Sequence, residues 1–108
     1  MPVILQTTFR KAADNGDSPQ DEAAAVAALE RRAHNIAAFP GLIWKIWIAQ
    51  PEQGVYGGTY LFENQAAALA YLESPIPDDI RHQPEFTTQI FEVEQGFSAI
   101  THAPLQRP

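Results

Sequence analysis

From Leu42 to Ala49 apolar side chains occupy both alternating positions, Leu42, Trp44, Ile46 and Ile48 on one and Ile43, Lys45, Trp47 and Ala49 on the other. A strand so patterned shows neither face fully to water. One face is expected to pack under helices and the other to meet a second sheet, most simply that of a second copy of the chain. A second strand pattern covers Val55 to Phe62, joined to the first through Gln50-Pro51-Glu52-Gln53-Gly54 as a hairpin loop. Helix two follows at once, with Asn64 as its cap, Ala66, Leu69, Ala70 and Leu72 facing inward, and Pro75 and Pro77 ending it.

Upstream, Val3 to Phe9 has strand composition and Asp14 to Ser18 reads as a polar loop. Ser18 is the expected cap of helix one, Pro19 its first residue, and Val26, Leu29, Ala33, Ile36 and Ala37 recur at helical spacing. Arg31, Arg32 and His34 suit its C-terminal end, and Phe39-Pro40-Gly41 stops it. Downstream, one helical turn is expected around Asp78 to Gln83 and a fourth strand over Thr87 to Val93. The pattern predicts one domain over residues 1–108, with 96–108 a docking tail through Phe97, Ile100 and Leu105. The order β-α-β-β-α-β is the α+β ferredoxin-like unit, with two helices on one face of a four-stranded antiparallel sheet.

Composition narrows the chemistry. There is no cysteine, which removes disulfides, thiolate clusters and a thiol nucleophile. Thirteen acidic against seven scattered basic side chains give a net charge of -6, which opposes phosphate-backbone binding, so nucleic acid is not an expected partner. No apolar run is long enough to cross a bilayer, and the opening MPVILQTTF lacks the basic n-region of a secretion signal, so a cytoplasmic location is expected.

The segments PGLIWKIW and GGTYLFENQAAALAYLE resemble the YdhR family of mono-oxygenases, within the dimeric α/β-barrel superfamily that includes the antibiotic-biosynthesis mono-oxygenases. The resemblance implies a homodimer whose two sheets face each other as a barrel, a pocket in each subunit, and oxidation of aromatic or polyketide-like compounds without a cofactor. The same scaffold carries haem-degrading enzymes and noncatalytic ligand-binding modules, so a module for small hydrophobic ligands and a haem-binding relative stay open as alternatives. Where related mono-oxygenases carry a Trp at the end of the third strand and a His in the second helix, this chain has Phe62 and Tyr71.

Cofactor-free oxygenation of a phenol needs a base, a donor or cation for the developing anion, and a dry cavity. His82 is the candidate base, Arg81 or Lys45 the candidate oxyanion partner, and Trp44, Trp47, Tyr60, Phe62 and Tyr71 candidate walls. Structural readings stand beside these. Trp44 and Trp47 point to opposite faces, so at least one belongs to a core or interface; Lys45 suits a snorkelling or ion-paired role; Gly57-Gly58 suits a bulge or a close backbone approach. Asp78-Asp79 suits a helix N-terminus. The three His residues have no metal-ligand spacing, although haem-degrading relatives place a ligating His about one residue from His82.

Overall fold

The computed structural model describes residues 1–11 and 19–107. The expected Ser18 cap and the 14–18 loop lie outside them. Four strands, β1 (Val3–Arg10), β2 (Leu42–Gln50), β3 (Val55–Phe62) and β4 (Thr87–Glu92), form one antiparallel sheet in the order β2-β3-β1-β4. The long helix α1 (Pro19–Ala37) enters between β1 and β2, and α2 (Gln65–Glu73) follows β3. A short α3 (Asp78–Arg81) precedes β4, and α4 (Gln95–Ile100) begins the tail. This is the α+β ferredoxin-like fold expected from the sequence.

The core forms where one sheet face meets the helices. Val3 and Leu5 of β1, Leu42 of β2 and Tyr60 and Phe62 of β3 pack with Ile36 of α1 and with Ala68 and Tyr71 of α2. Phe39 sets its ring edge-on to both Phe62 and Tyr71. Local chemistry supports these elements: Asn64 Oδ1 accepts from the Ala67 N–H at 2.8 Å to cap α2. At Gly41 (φ 89°) the chain leaves α1 so close to α2 that a Cβ would lie 2.5 Å from that of Ala67.

Three details differ from the sequence expectation. The register of β2 against β3 shifts between Leu42 and Trp44, so Ile43 is an extra residue. Leu42 therefore joins Lys45 and Trp47 on the helix face, while Trp44, Ile46 and Ile48 lie on the other. Second, the inward stripes of the helices are offset from those expected. Val26 and Leu29 are 54% and 53% exposed and Leu69 is 44% exposed, whereas Ala68 and Tyr71 carry the buried side of α2. In an alanine-rich helix the few large side chains do not mark the core face, because small residues allow close approach to the sheet. Third, Gln95–Ile100 is helical. The Glu94 carboxylate caps it by accepting from the Gly96 and Phe97 N–H groups, a task usually given to a shorter side chain.

Beyond α4 the chain returns across the open face of the sheet. The Trp44 indole N–H donates to Pro104 O at 2.6 Å, and Arg107 Nη2 donates to Ala37 O at 3.3 Å at the end of α1. No helix among the described residues is long and apolar enough to cross a membrane.

Candidate functional site

Between α1 and the helix-facing side of the sheet lies a cavity of about 490 Å³, within the size range of small-molecule sites. Thr7, Lys45, Trp47 and Tyr60 supply its sheet side, Leu29 and Arg32 its α1 side, and Asp79 and Ile80 close it from α3. The strand register explains the gathering of the first four. Tyr60 is the cross-strand partner of Lys45, and Gly58 that of both Trp47 and Thr7, so all point to one face.

Lys45 is the centre of this arrangement. Its Nζ lies 3.5 Å from the centroid of the Trp47 ring and 4.6 Å from that of Tyr60. Its stem runs across Gly58, where an added Cβ would come within 2.5 Å of Lys45 Cε. Gly58 is thus a residue of close approach, but the approaching group is a side chain. At the neighbouring Gly57 it is the β1 backbone, with Thr7 O 2.0 Å from where a Cβ would stand. Burial, reinforced by the charge of Arg32 and partly offset by Asp79, lowers the Lys45 pKa from 10.5 to about 7. Near neutrality the site therefore holds both an ammonium and a free amine.

Arg32 reaches the cavity from α1. Its Nη1 donates to both carboxylate oxygens of Asp79 at 2.7 Å, and its side chain is only 12% exposed while that of Asp79 is 62% exposed. Both residues also line a second groove, between α1 and residues 75–79. Behind Tyr60, the Tyr60 and Tyr71 hydroxyls share a hydrogen bond of 3.2 Å. Burial raises the Tyr71 pKa well above the ordinary phenol value, with Tyr60 adding to the rise and Arg32 opposing it through its charge and a hydrogen bond donated to the Tyr71 hydroxyl. Tyr71 is a neutral core phenol near neutral pH.

The remaining sequence candidates occupy other places. Phe62 is fully buried in the core and stacks on Tyr60 at 5.9 Å. Trp44 faces the opposite side of the sheet. Arg81 binds the Leu72 and Ser74 carbonyls and pairs with Asp78 at 2.8 Å, which ties α3 to the end of α2. His82 is the exposed C-cap of α3 and does not line the cavity. Of the candidates, then, Lys45, Trp47 and Tyr60 are brought together. Arg32, Asp79 and Thr7 were not singled out as site residues. Arg32 and Asp79 read as a helix C-terminal cation and a helix N-terminal anion, and their meeting across the fold has no local signal.

Among solved structures, the chain is similar to SnoaB from Streptomyces nogalater, described as a cofactor-independent oxygenase. The two share 15% identity at a TM-score of 0.61, over 87% of this chain and 94% of that one. Rv0793 from Mycobacterium tuberculosis is similar at 14% identity and a TM-score of 0.59, over 89% and 99% of the two chains. At these identities the likeness is one of fold. No curated protein matches the chain in sequence. A family model described as "Putative mono-oxygenase ydhR" matches residues 4–104. By that match the chain belongs to the YdhR mono-oxygenase family.

Proposed function

We propose that the cavity beneath α1 carries out cofactor-independent mono-oxygenation of a small aromatic or polyketide-like phenol, in a cytoplasmic homodimer. The observation that carries this reading is a lysine amine, poised near neutrality by burial, held against aromatic walls in a cavity of about 490 Å³. Family membership supports the reaction class.

The free amine of Lys45 takes the phenolic proton, and the aromatic anion reduces dioxygen. A ring carbon forms a bond to one oxygen atom, giving a hydroperoxide. Loss of the proton on that carbon and cleavage of the O–O bond then leave a carbonyl and release water, the Lys45 ammonium returning its proton to the departing oxygen. For a phenol with an open para position, phenol and dioxygen in equal amounts give the para-quinone and water in equal amounts; the substrate supplies every electron. Trp47 and Tyr60 hold the ring and keep the anion from water. His82, the haem-ligand candidate, stands outside the cavity.

Oxygen uptake with a panel of quinols and polyphenols tests the proposal. One O2 is expected per substrate oxidised, with the rate falling about a hundredfold or more in Lys45→Met. Saturable binding across the panel without oxygen uptake would assign the cavity to a noncatalytic ligand-binding module instead.

A further inference from the structure

The Lys45 amine has a second kind of reactivity that proton removal leaves unused. The chain has two lysines, Lys11 and Lys45, and Lys11 is exposed. Lys45 lines the cavity, yet its Nζ makes no hydrogen bond or ion pair with any described residue. That nitrogen keeps solvent access, unlike the buried and unpartnered Nε of Arg32 and Oγ1 of Thr7. Two aromatic rings face it, Trp47 at 3.5 Å and Tyr60 at 4.6 Å, while the Asp79 carboxylate is taken by Arg32. A lysine held away from carboxylates in a cavity with mostly apolar walls is placed for its amine to act as a nucleophile toward carbonyl carbon.

We infer that Lys45 is a covalent carbonyl site, condensing with an aromatic aldehyde to give a Schiff base whose ring lies against Trp47 and Tyr60. The amine lone pair forms the new C–N bond, and a proton passes from nitrogen to the aldehyde oxygen. The C–O bond of this carbinolamine then breaks, its hydroxyl taking the second amine proton and departing as water. One amine and one aldehyde give one imine and one water, and nothing is oxidised or reduced. The ring faces that attract the ammonium also receive the protonated imine, a cation at the same nitrogen. An aldehyde carries only hydrogen beside its ring, so its carbon reaches Nζ between the two walls with least hindrance. The site is the cavity already described, but the condensation needs no dioxygen and stands apart from the oxygenation.

The groups around Lys45 set when its amine is free. Burial and then Arg32 from α1 lower its pKa to about 7 against the smaller opposing effect of Asp79 from α3, Tyr60 and Trp47 face it from the sheet, and Lys11 lines the same cavity from beyond β1. Near pH 7 about half of Lys45 is free amine, against roughly a few parts in ten thousand of an ordinary lysine. The lead of Lys45 over an ordinary exposed lysine should therefore be largest near pH 7 and shrink toward pH 10.

Reductive trapping tests the inference. The protein is incubated under nitrogen at pH 7 with 2-naphthaldehyde and cyanoborohydride, which delivers hydride to the imine carbon and fixes the adduct as a secondary amine; labelled positions are read by peptide mass mapping. Lys45 should be labelled about tenfold or more faster than Lys11, and this lead should vanish in denaturant. Propanal, which has no ring for Trp47 and Tyr60, should show a lead smaller by about threefold or more. Lys45→Met should keep labelling only at Lys11 and the amino terminus, and the map of the parent protein stands even if that variant does not fold. Equal labelling of both lysines in the folded parent protein overturns the carbonyl site, and equal leads for the two aldehydes overturn its aromatic class. Oxygen uptake with phenols in a protein that shows no lead leaves the oxygenase reading alone. A lead without oxygen uptake keeps the Schiff-base site and removes the oxygenase, and absence of both overturns both.

Discussion

At Lys45 the surroundings convert an ordinary surface cation into a group that titrates near neutrality, and this has a signature in stability as well as in rate. Its pKa in the folded chain, about 7, lies below the 10.5 of an exposed lysine. Between these values the unfolded chain keeps a proton that the folded chain has released, so this residue's contribution to stability rises with pH through that window. The penalty for burying the charge is full below about pH 7 and fades toward pH 10.5. Lys45→Met should therefore raise Tm by more at pH 6 than at pH 9, the two gains differing by several degrees. A gain independent of pH would show that the amine is not desolvated. In rate, oxidation should rise with pH through an inflection near 7, as a base acting in its free amine form requires. His82→Ala should leave the rate within about twofold, because the imidazole is exposed and outside the cavity. A hundredfold loss in that variant would return the role of base to His82.

Among the elements, β3 positions the chemistry by leaving space. In Gly58→Ala the new Cβ would meet Lys45 Cε at 2.5 Å and Tyr60 Cε1 at 3.1 Å. The lysine end is flexible, so the sheet should survive with Tm changed by only a few degrees while the amine is pushed out of its aromatic cage. The expected result is about a tenfold or greater loss of oxidation at pH 7.5, with the inflection moved toward an ordinary lysine. An unchanged pH profile would mean that the stem does not need that gap. At α2 the stakes are structural. Asn64→Ala removes the side-chain acceptor for the Ala67 N–H and should cost about 1 kcal/mol, lowering Tm by roughly 4–8 °C in thermal unfolding followed by circular dichroism.

For the whole molecule, the sheet face away from the helices sets the question of assembly. Trp44, Ile46 and Ile48 of β2 lie on that face, where Ile46 is 55% exposed, and Phe91 of β4, at the opposite edge of the sheet, is 49% exposed. Phe97 and Ile100 of α4 are more exposed still, at 74% and 72%. The tail meets this face at Trp44, through the bond to Pro104 O. A homodimer burying roughly 1,500 Å² or more, sheet against sheet, is the proposed partner for the surface that remains. Light scattering at micromolar concentration should give twice the chain mass, and Ile46→Glu should give the single-chain mass without loss of helical signal. A single-chain mass for the parent protein would remove the proposal.

The sequence by itself determined the element order, the hairpin between β2 and β3, the Asn64 cap and the helical turn at Asp78, because each depends on residues a few positions apart. It also offered Lys45, Trp47 and Tyr60 as candidates, since a lysine between two tryptophans in one strand pattern and a tyrosine in the next are conspicuous without any fold. Only the tertiary structure decided which face each of them serves. One extra residue in β2 reverses the side of everything before it, and sequence alternation carries no record of that. Nor is the union of Arg32 with Asp79 legible in the chain: the two stand 47 residues apart, and each alone looks like a helix-end charge. Thr7 reads as one polar position in a strand until burial strips its hydroxyl of partners. Local structure follows from short-range sterics and hydrogen bonding, whereas the site is made by desolvation and charge proximity, which exist only once distant segments have packed.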